Sequence, residues 1–205
     1  MATLNYPRVT EILQPFTKFE FVPKDKLASA AARGTSVHAL CAGIAKGAWI
    51  PDSMIEPELS GYVESFRKWA EKQVSKFEII EKRYQDDHLI YTGQVDFVIE
   101  GSDKEIYLVD IKTSATPHKT YPIQMAAYES LLRVHGIVVK GAMIVYLSRD
   151  GEFPEIDFIE DFTDQFHVFL CALDCYNYFN RKKKHARNDT DTKHLSENLS
   201  CNGGT

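Results

Sequence analysis

The chain has 205 residues and a net charge of −5, with 44% hydrophobic and 26% charged residues, proportions of an ordinary soluble globular domain with a substantial core. No apolar run is long enough to span a membrane and the first residues, MATLNYPRVTEIL, lack a signal-peptide core, so a cytoplasmic location is the expectation. The charge is uneven: residues 181–205 carry six Lys/Arg against three acids, leaving 18 against 26 elsewhere, so any phosphate-binding surface must be local. After a turn at Tyr6-Pro7 and a short apolar pattern through Ile12, Leu13 and Phe16, a helix is predicted over about Lys26–Lys46. Its Leu27, Ala31, Gly34, His38, Cys41 and Ala45 recur at steps of three and four, as one helical face does. A second helix, about Glu56–Lys76, sets Tyr62, Phe66 and Trp69 against Arg67, Lys68, Lys72 and Lys76.

Strands are expected near Glu78–Tyr84, Leu89–Ile99 and Glu105–Thr113, with Gly101-Ser-Asp-Lys104 as the turn between the last two. A helix over about Pro122–Val134 follows, with proline in its first turn, then strands at Gly141–Leu147 and Pro154–Phe158. A last helix, about Phe162–Arg181, is expected to bury Phe166, Phe169, Leu170 and Leu173. The order predicts one mixed α/β domain over 1–185, followed by a polar tail over 186–205 that reads as disordered.

The chemistry concentrates on the central hairpin. If it is symmetric about Asp103, Asp96 lies across from Asp110, and Lys112 shares their face because side chains alternate along a strand. Val95, Phe97, Ile99, Tyr107, Val109 and Ile111 then form the opposite, core-facing side. Two facing carboxylates repel, so the arrangement asks for a compensating cation, and oxygen donors suit Mg²⁺ or Mn²⁺. Read alone, Asp110 could simply end a strand, and an isolated histidine such as His38 on an apolar helix face is more often a satisfied core residue. Gly34, one turn before His38, permits close approach of another element, and an imidazole could complete a site built on two carboxylates. Gln124 and Tyr128 share a helical face at i,i+4, and Glu81 is a strand residue open to an exposed or a functional reading. The four cysteines show no C-x₂-C spacing; they read as core thiols plus Cys201 in the tail, not as a cluster site.

Together, Gly34-Thr-Ser-Val-His38, Glu81, Gly93-Gln-Val-Asp96, Asp110-Ile-Lys112 and Gln124-Met-Ala-Ala-Tyr128 resemble, in order and spacing, the motifs of the PD-(D/E)XK nuclease superfamily, in its RecB-type exonuclease branch. Val95 stands where the superfamily's eponymous proline would be, as is common in that branch. The resemblance implies a restriction-endonuclease-like α/β core, a central mixed sheet flanked by helices. It implies His38, Asp96 and Asp110 as metal ligands with the Ile111 carbonyl, and Lys112 as the catalytic lysine acting on the attacking water. Gln124 and Tyr128 would support the site and contact the strand, and Glu81 would be an auxiliary acid. The implied activity is Mg²⁺- or Mn²⁺-dependent DNA hydrolysis by a stand-alone phage or bacterial exonuclease. Implied partners are DNA and a recombination or single-strand-binding protein. A structure-specific endonuclease or junction resolvase on the same core, and a non-catalytic DNA-binding subunit, are the alternatives.

Overall fold

The computed structural model describes residues 6–17, 22–114 and 116–180. The basic run 181–187, Cys201 and the tail lie outside them. A short α1 (Val9–Leu13) precedes α2 (Lys24–Ala45) and α3 (Pro57–Gln73). Three strands follow, β1 (Val74–Asp86), β2 (Tyr91–Gly101) and β3 (Ile106–Lys112), then α4 (Thr120–Val134), β4 (Gly141–Tyr146), β5 (Glu155–Ile159) and α5 (Thr163–Asn180). Spatial order in the sheet equals chain order; every neighbouring pair is antiparallel except β3 and β4, which run parallel because α4 carries the chain back across the sheet. The expected mixed sheet flanked by helices is therefore the observed fold. Among the described residues no helix is long and apolar enough to cross a membrane.

Strand alternation divides the core between the two faces. Leu108 and Ile144 point toward α1, α4 and α5, packing with Ile12, Met125, Leu131 and Phe169. Val109 and Val145 point the other way, joining Val37 of α2 and Phe66 and Trp69 of α3. Full burial of a side chain such as Phe66 contributes about 1.5–3 kcal/mol, so these two layers supply most of the favourable energy of folding.

The hairpin register is the one read from the turn: Phe97 pairs with Val109 and Glu100 with Ile106, symmetric about Asp103. Asp103 closes the turn, accepting bonds from Glu105 N–H and the Tyr107 hydroxyl, while Lys104 takes a left-handed φ of 72°. The ladder stops at Phe97–Val109, so Asp96 and Asp110 lie just past its end. Beyond it, β2 stays paired to β1 as far as Tyr91–Asp86. This parting of β2 from β3 corrects one expectation. Val95 does not share a face with Phe97 and Ile99; it packs in the α4-side cluster, because alternation breaks at Asp96 where only one neighbour still constrains the strand.

Other corrections are local. Lys76 belongs to β1, since α3 ends at Gln73. On α5, Phe169, Ala172 and Leu173 are buried while Phe166 and Leu170 are only half-buried. Cys171 and Cys175 are exposed free thiols rather than core residues; among the described cysteines only Cys41 is buried, and burial pushes its thiol well above the usual range. On α2 the buried stripe is Val37, Cys41 and Ala42, displaced from the expected one. Leu27, Ala31, Gly34 and His38 instead line a cleft.

The β4–β5 loop is docked on α3. Ser148 N–H donates to Ser65 Oγ at 3.0 Å, Lys68 Nζ donates to the Gly151 carbonyl at 2.7 Å, and a Cβ on Gly61 would fall 1.7 Å from the Arg149 carbonyl oxygen. In an unhindered helix Gly→Ala stabilises by up to about 1 kcal/mol. Here the backbone contact reverses the sign: Gly61→Ala is expected to cost about 3 kcal/mol and lower the melting temperature by roughly 5–10 °C in a thermal scan. An increase in melting temperature would mean that the loop does not bear on α3.

Candidate active site

The site lies where β2 and β3 separate. Asp96, freed from the ladder, accepts a hydrogen bond from Ile111 N–H at Oδ2 (3.1 Å), and the same oxygen is 3.3 Å from His38 Nδ1 on α2. Asp110, only 2% exposed, turns toward α4. Its Oδ1 accepts from Gln124 Nε2 at 3.1 Å, and Lys112 Nζ is 2.6 Å from Oδ2. Gln124 is the hub: its Oε1 accepts from Lys112 Nζ (3.3 Å) and its Nε2 also donates to the Tyr128 hydroxyl (2.9 Å). A side-chain amide can do this because it offers both acceptor and donors.

α4 approaches β2 closely enough to reach these groups because Gly93 has no side chain. A Cβ there would meet Tyr128 Cε1 at 2.6 Å and Leu131 Cδ1 at 2.9 Å. Gly93 thus shares with Asp96 the task of building the site, one admitting the helix and the other facing the opposite wall. Gln124 and Tyr128 are buried, and their hydrogen bonds brace Asp110 and Lys112 from the α4 side.

Glu81 is half-buried with a left-handed φ of 47°, a conformation sparsely populated outside glycine. With Gln94, Asp96, His38 and Gly34 it lines a small cleft of about 350 Å³. On the other side of His38 and Gly34 opens a larger cleft of about 780 Å³, bordered by Ile111, Lys112 and Tyr121. Tyr121 was not anticipated from the sequence. Its ring centroid is 4.5 Å from Lys112 Nζ, a cation–π contact that caps the ammonium. The available signal was its spacing: three residues before Gln124 puts it on the same helical face.

Burial and charge oppose each other here. Burial raises the Asp110 pKa, and the Asp96 charge adds to this, with the Lys112 ammonium acting against both. Burial would lower the Lys112 pKa, but Asp110 and Asp96 outweigh it and the ammonium is held more firmly than in water. His38 follows the same logic: burial disfavours its charged form, yet Asp96 and then Asp110 raise its pKa above the ordinary value.

Among the described residues no three His, Cys, Asp or Glu side chains converge tightly enough to hold a metal ion by themselves. The donor chemistry nonetheless suits a hard divalent cation. Carboxylate oxygens predominate, and Asp110 Oδ2, fully buried, accepts no well-formed hydrogen bond despite its contact with Lys112.

A mixed sheet flanked by helices, with Asp96 at the point where two strands part and Asp110-x-Lys112 at the end of the next, defines a class of phosphodiester-cleaving folds. The sequence model of the PD-(D/E)XK nuclease superfamily matches residues 24–197, and the chain belongs to that superfamily. Its members are nucleases that generally use divalent metal ions such as Mg²⁺. Among solved structures, the crystal structure of SSO0001 is similar at 15% identity, covering 87% of this chain and 78% of that one, with a TM-score of 0.46. Comparison with curated proteins gives no match.

The His38–Asp96 pair makes a titration testable. Its contribution to stability is fully present below about pH 6.5, the unfolded value, and is lost as pH rises through the raised folded value. In metal-free protein followed by NMR of the imidazole, His38 is expected to titrate above the ordinary value. In Asp96→Asn it should fall below it, because burial then acts with less opposition. An unchanged titration would show that the two side chains do not interact.

Proposed function

We propose that the protein is a Mg²⁺- or Mn²⁺-dependent DNA exonuclease of the RecB-type branch, a single nuclease domain over 1–185 serving phage or bacterial recombination, replication or DNA degradation in the cytoplasm. The observation that carries this reading is the buried Asp110–Lys112 pair, 2.6 Å apart, with Asp96 and His38 converging beside it. A fold does not retain two carboxylates and an ammonium in a mostly apolar setting for stability, since hydrophobic replacements are often as good or better.

In this reading Asp96 and Asp110, with His38 and the Ile111 carbonyl, hold the cation. A divalent ion bound there would polarise the phosphodiester and make water acidic enough to attack at neutral pH. Lys112, kept as an ammonium by Asp110 and Asp96 and braced by Gln124 and Tyr121, orients that water and offsets the negative charge that develops on phosphorus. Gln124 keeps Asp110 and Lys112 in one geometry, and Tyr128 fixes Gln124. Glu81 serves as an auxiliary acid at the mouth of the small cleft. Hydrolysis would leave a 5′-phosphate and a 3′-hydroxyl. A recombination or single-strand-binding protein would be the natural partner.

The test is a time course on end-labelled linear duplex, linear single strand and closed circular DNA with Mg²⁺, Mn²⁺ or EDTA. Metal-dependent loss of linear DNA only is expected, reduced about 10³-fold in Lys112→Ala. Undiminished cleavage by that variant would remove the role assigned to Lys112. Nicking of the circle would move the activity to a structure-specific endonuclease, and DNA binding without cleavage in any metal would leave a non-catalytic binding subunit.

A further inference from the structure

We infer that the larger cleft beside Lys112 seats a single strand of DNA, with Arg33 and Arg149 as its phosphate contacts; the nature of the polyanion rests on the nuclease reading above. The chain has 29 Asp and Glu residues, yet among the described residues none lines this cleft, whose charged walls there are Arg33, Lys112 and Arg149. The neighbouring clefts differ: the small one carries Glu81 and Asp96, and the one beyond Arg149 carries Asp150, Glu152 and Glu155. In an acidic protein, an acid-free wall next to the reactive groups marks the path a polyanion can take.

Both arginines are placed in advance. The Arg33 guanidinium lies 5.9 Å from the Tyr62 ring centroid, and its buried Nε has no hydrogen-bond partner among the described residues. Arg149 is exposed on the β4–β5 loop, whose backbone is pinned to α3 at Gly61, Ser65 and Lys68. Tyr62, between them, lines the cleft from α3. The guanidinium fork suits phosphate oxygens, and the remaining wall, with Leu27, Ala31, Pro117 and Tyr121, is the apolar and aromatic surface on which unpaired bases rest. The volume of about 780 Å³ falls in the range of single-ligand pockets, about 300–1,000 Å³. That volume matches a few nucleotides of one strand, and in this assignment a duplex end unpairs to bring that strand to Lys112.

Binding is measured by fluorescence anisotropy on metal-free protein in EDTA, which separates this inference from catalysis. The probes are a labelled oligothymidylate of about a dozen nucleotides and a blunt hairpin of similar length. The single strand is expected to bind more tightly. Arg33→Gln and Arg149→Gln should each weaken it about tenfold and flatten the dependence of log affinity on log salt by about 0.7. Arg33→Lys, which keeps the charge, should retain most of the salt slope, and circular dichroism should show all three variants folded. Equal affinity for the hairpin, or wild-type affinity in both glutamine variants, would overturn the assignment even if DNA is cleaved. Absence of cleavage alongside the expected binding pattern would instead remove the nuclease reading and leave the strand site standing.

Discussion

Asp110 is the group around which this molecule is organised. A carboxylate at 2% exposure loses most of its hydration, and the loss is tolerable only if charges and dipoles are held against it. Lys112 supplies the charge from two residues along the same strand, and Gln124 supplies the dipole from the helix crossing behind it. Each compensating group is itself constrained: Lys112 by Gln124 and the Tyr121 ring, Gln124 by Tyr128. The network binds the end of β3 to α4, and it does so at the parallel β3–β4 step, where the chain must cross the sheet through that helix.

The second constraint is the separation of β2 from β3 at Asp96. While two strands stay paired, their backbone groups are occupied by each other. Where the ladder ends, Ile111 N–H needs another acceptor, and the Asp96 carboxylate provides it. That bond brings Asp96 toward β3 and within 3.3 Å of His38, joining the α2 side of the sheet to the α4 side at one point. A gap in secondary structure thus becomes the meeting place of groups from three elements, and Gly93 and Gly34 leave the room they need: Gly93 under α4, and Gly34 with Thr113 Oγ1 at 3.7 Å from a notional Cβ.

Charge is distributed with the same economy. Acids gather on the small cleft and on the β4–β5 side, whereas the described residues of the large cleft are arginine, lysine, histidine, hydroxyl and apolar side chains. An overall negative charge therefore coexists with a cleft that no described acid lines, a distinction that net charge by itself conceals.

Much of this was legible in the residue order. Strand and helix periodicities located the main elements to within a few residues, and the Gly101–Lys104 turn set the hairpin register, because turn chemistry and alternation are local properties. The motif residues His38, Asp96, Asp110, Lys112 and Gln124 do come together. The rest was settled by contacts between distant segments. Val95 changes face because β3 leaves β2, Gln124 and Tyr128 are buried because Gly93 admits α4, and Cys171 and Cys175 are exposed because α5 packs on a different stripe. Arg33 and Arg149 reach one cleft only through α3, which holds the first by a ring and the second by a docked loop. Sequence alone determined which elements form and which motif residues were candidates for the site, since those follow from short-range pattern. Tertiary structure decided which side chains are buried, braced or left facing a cleft, since that depends on what packs against each element.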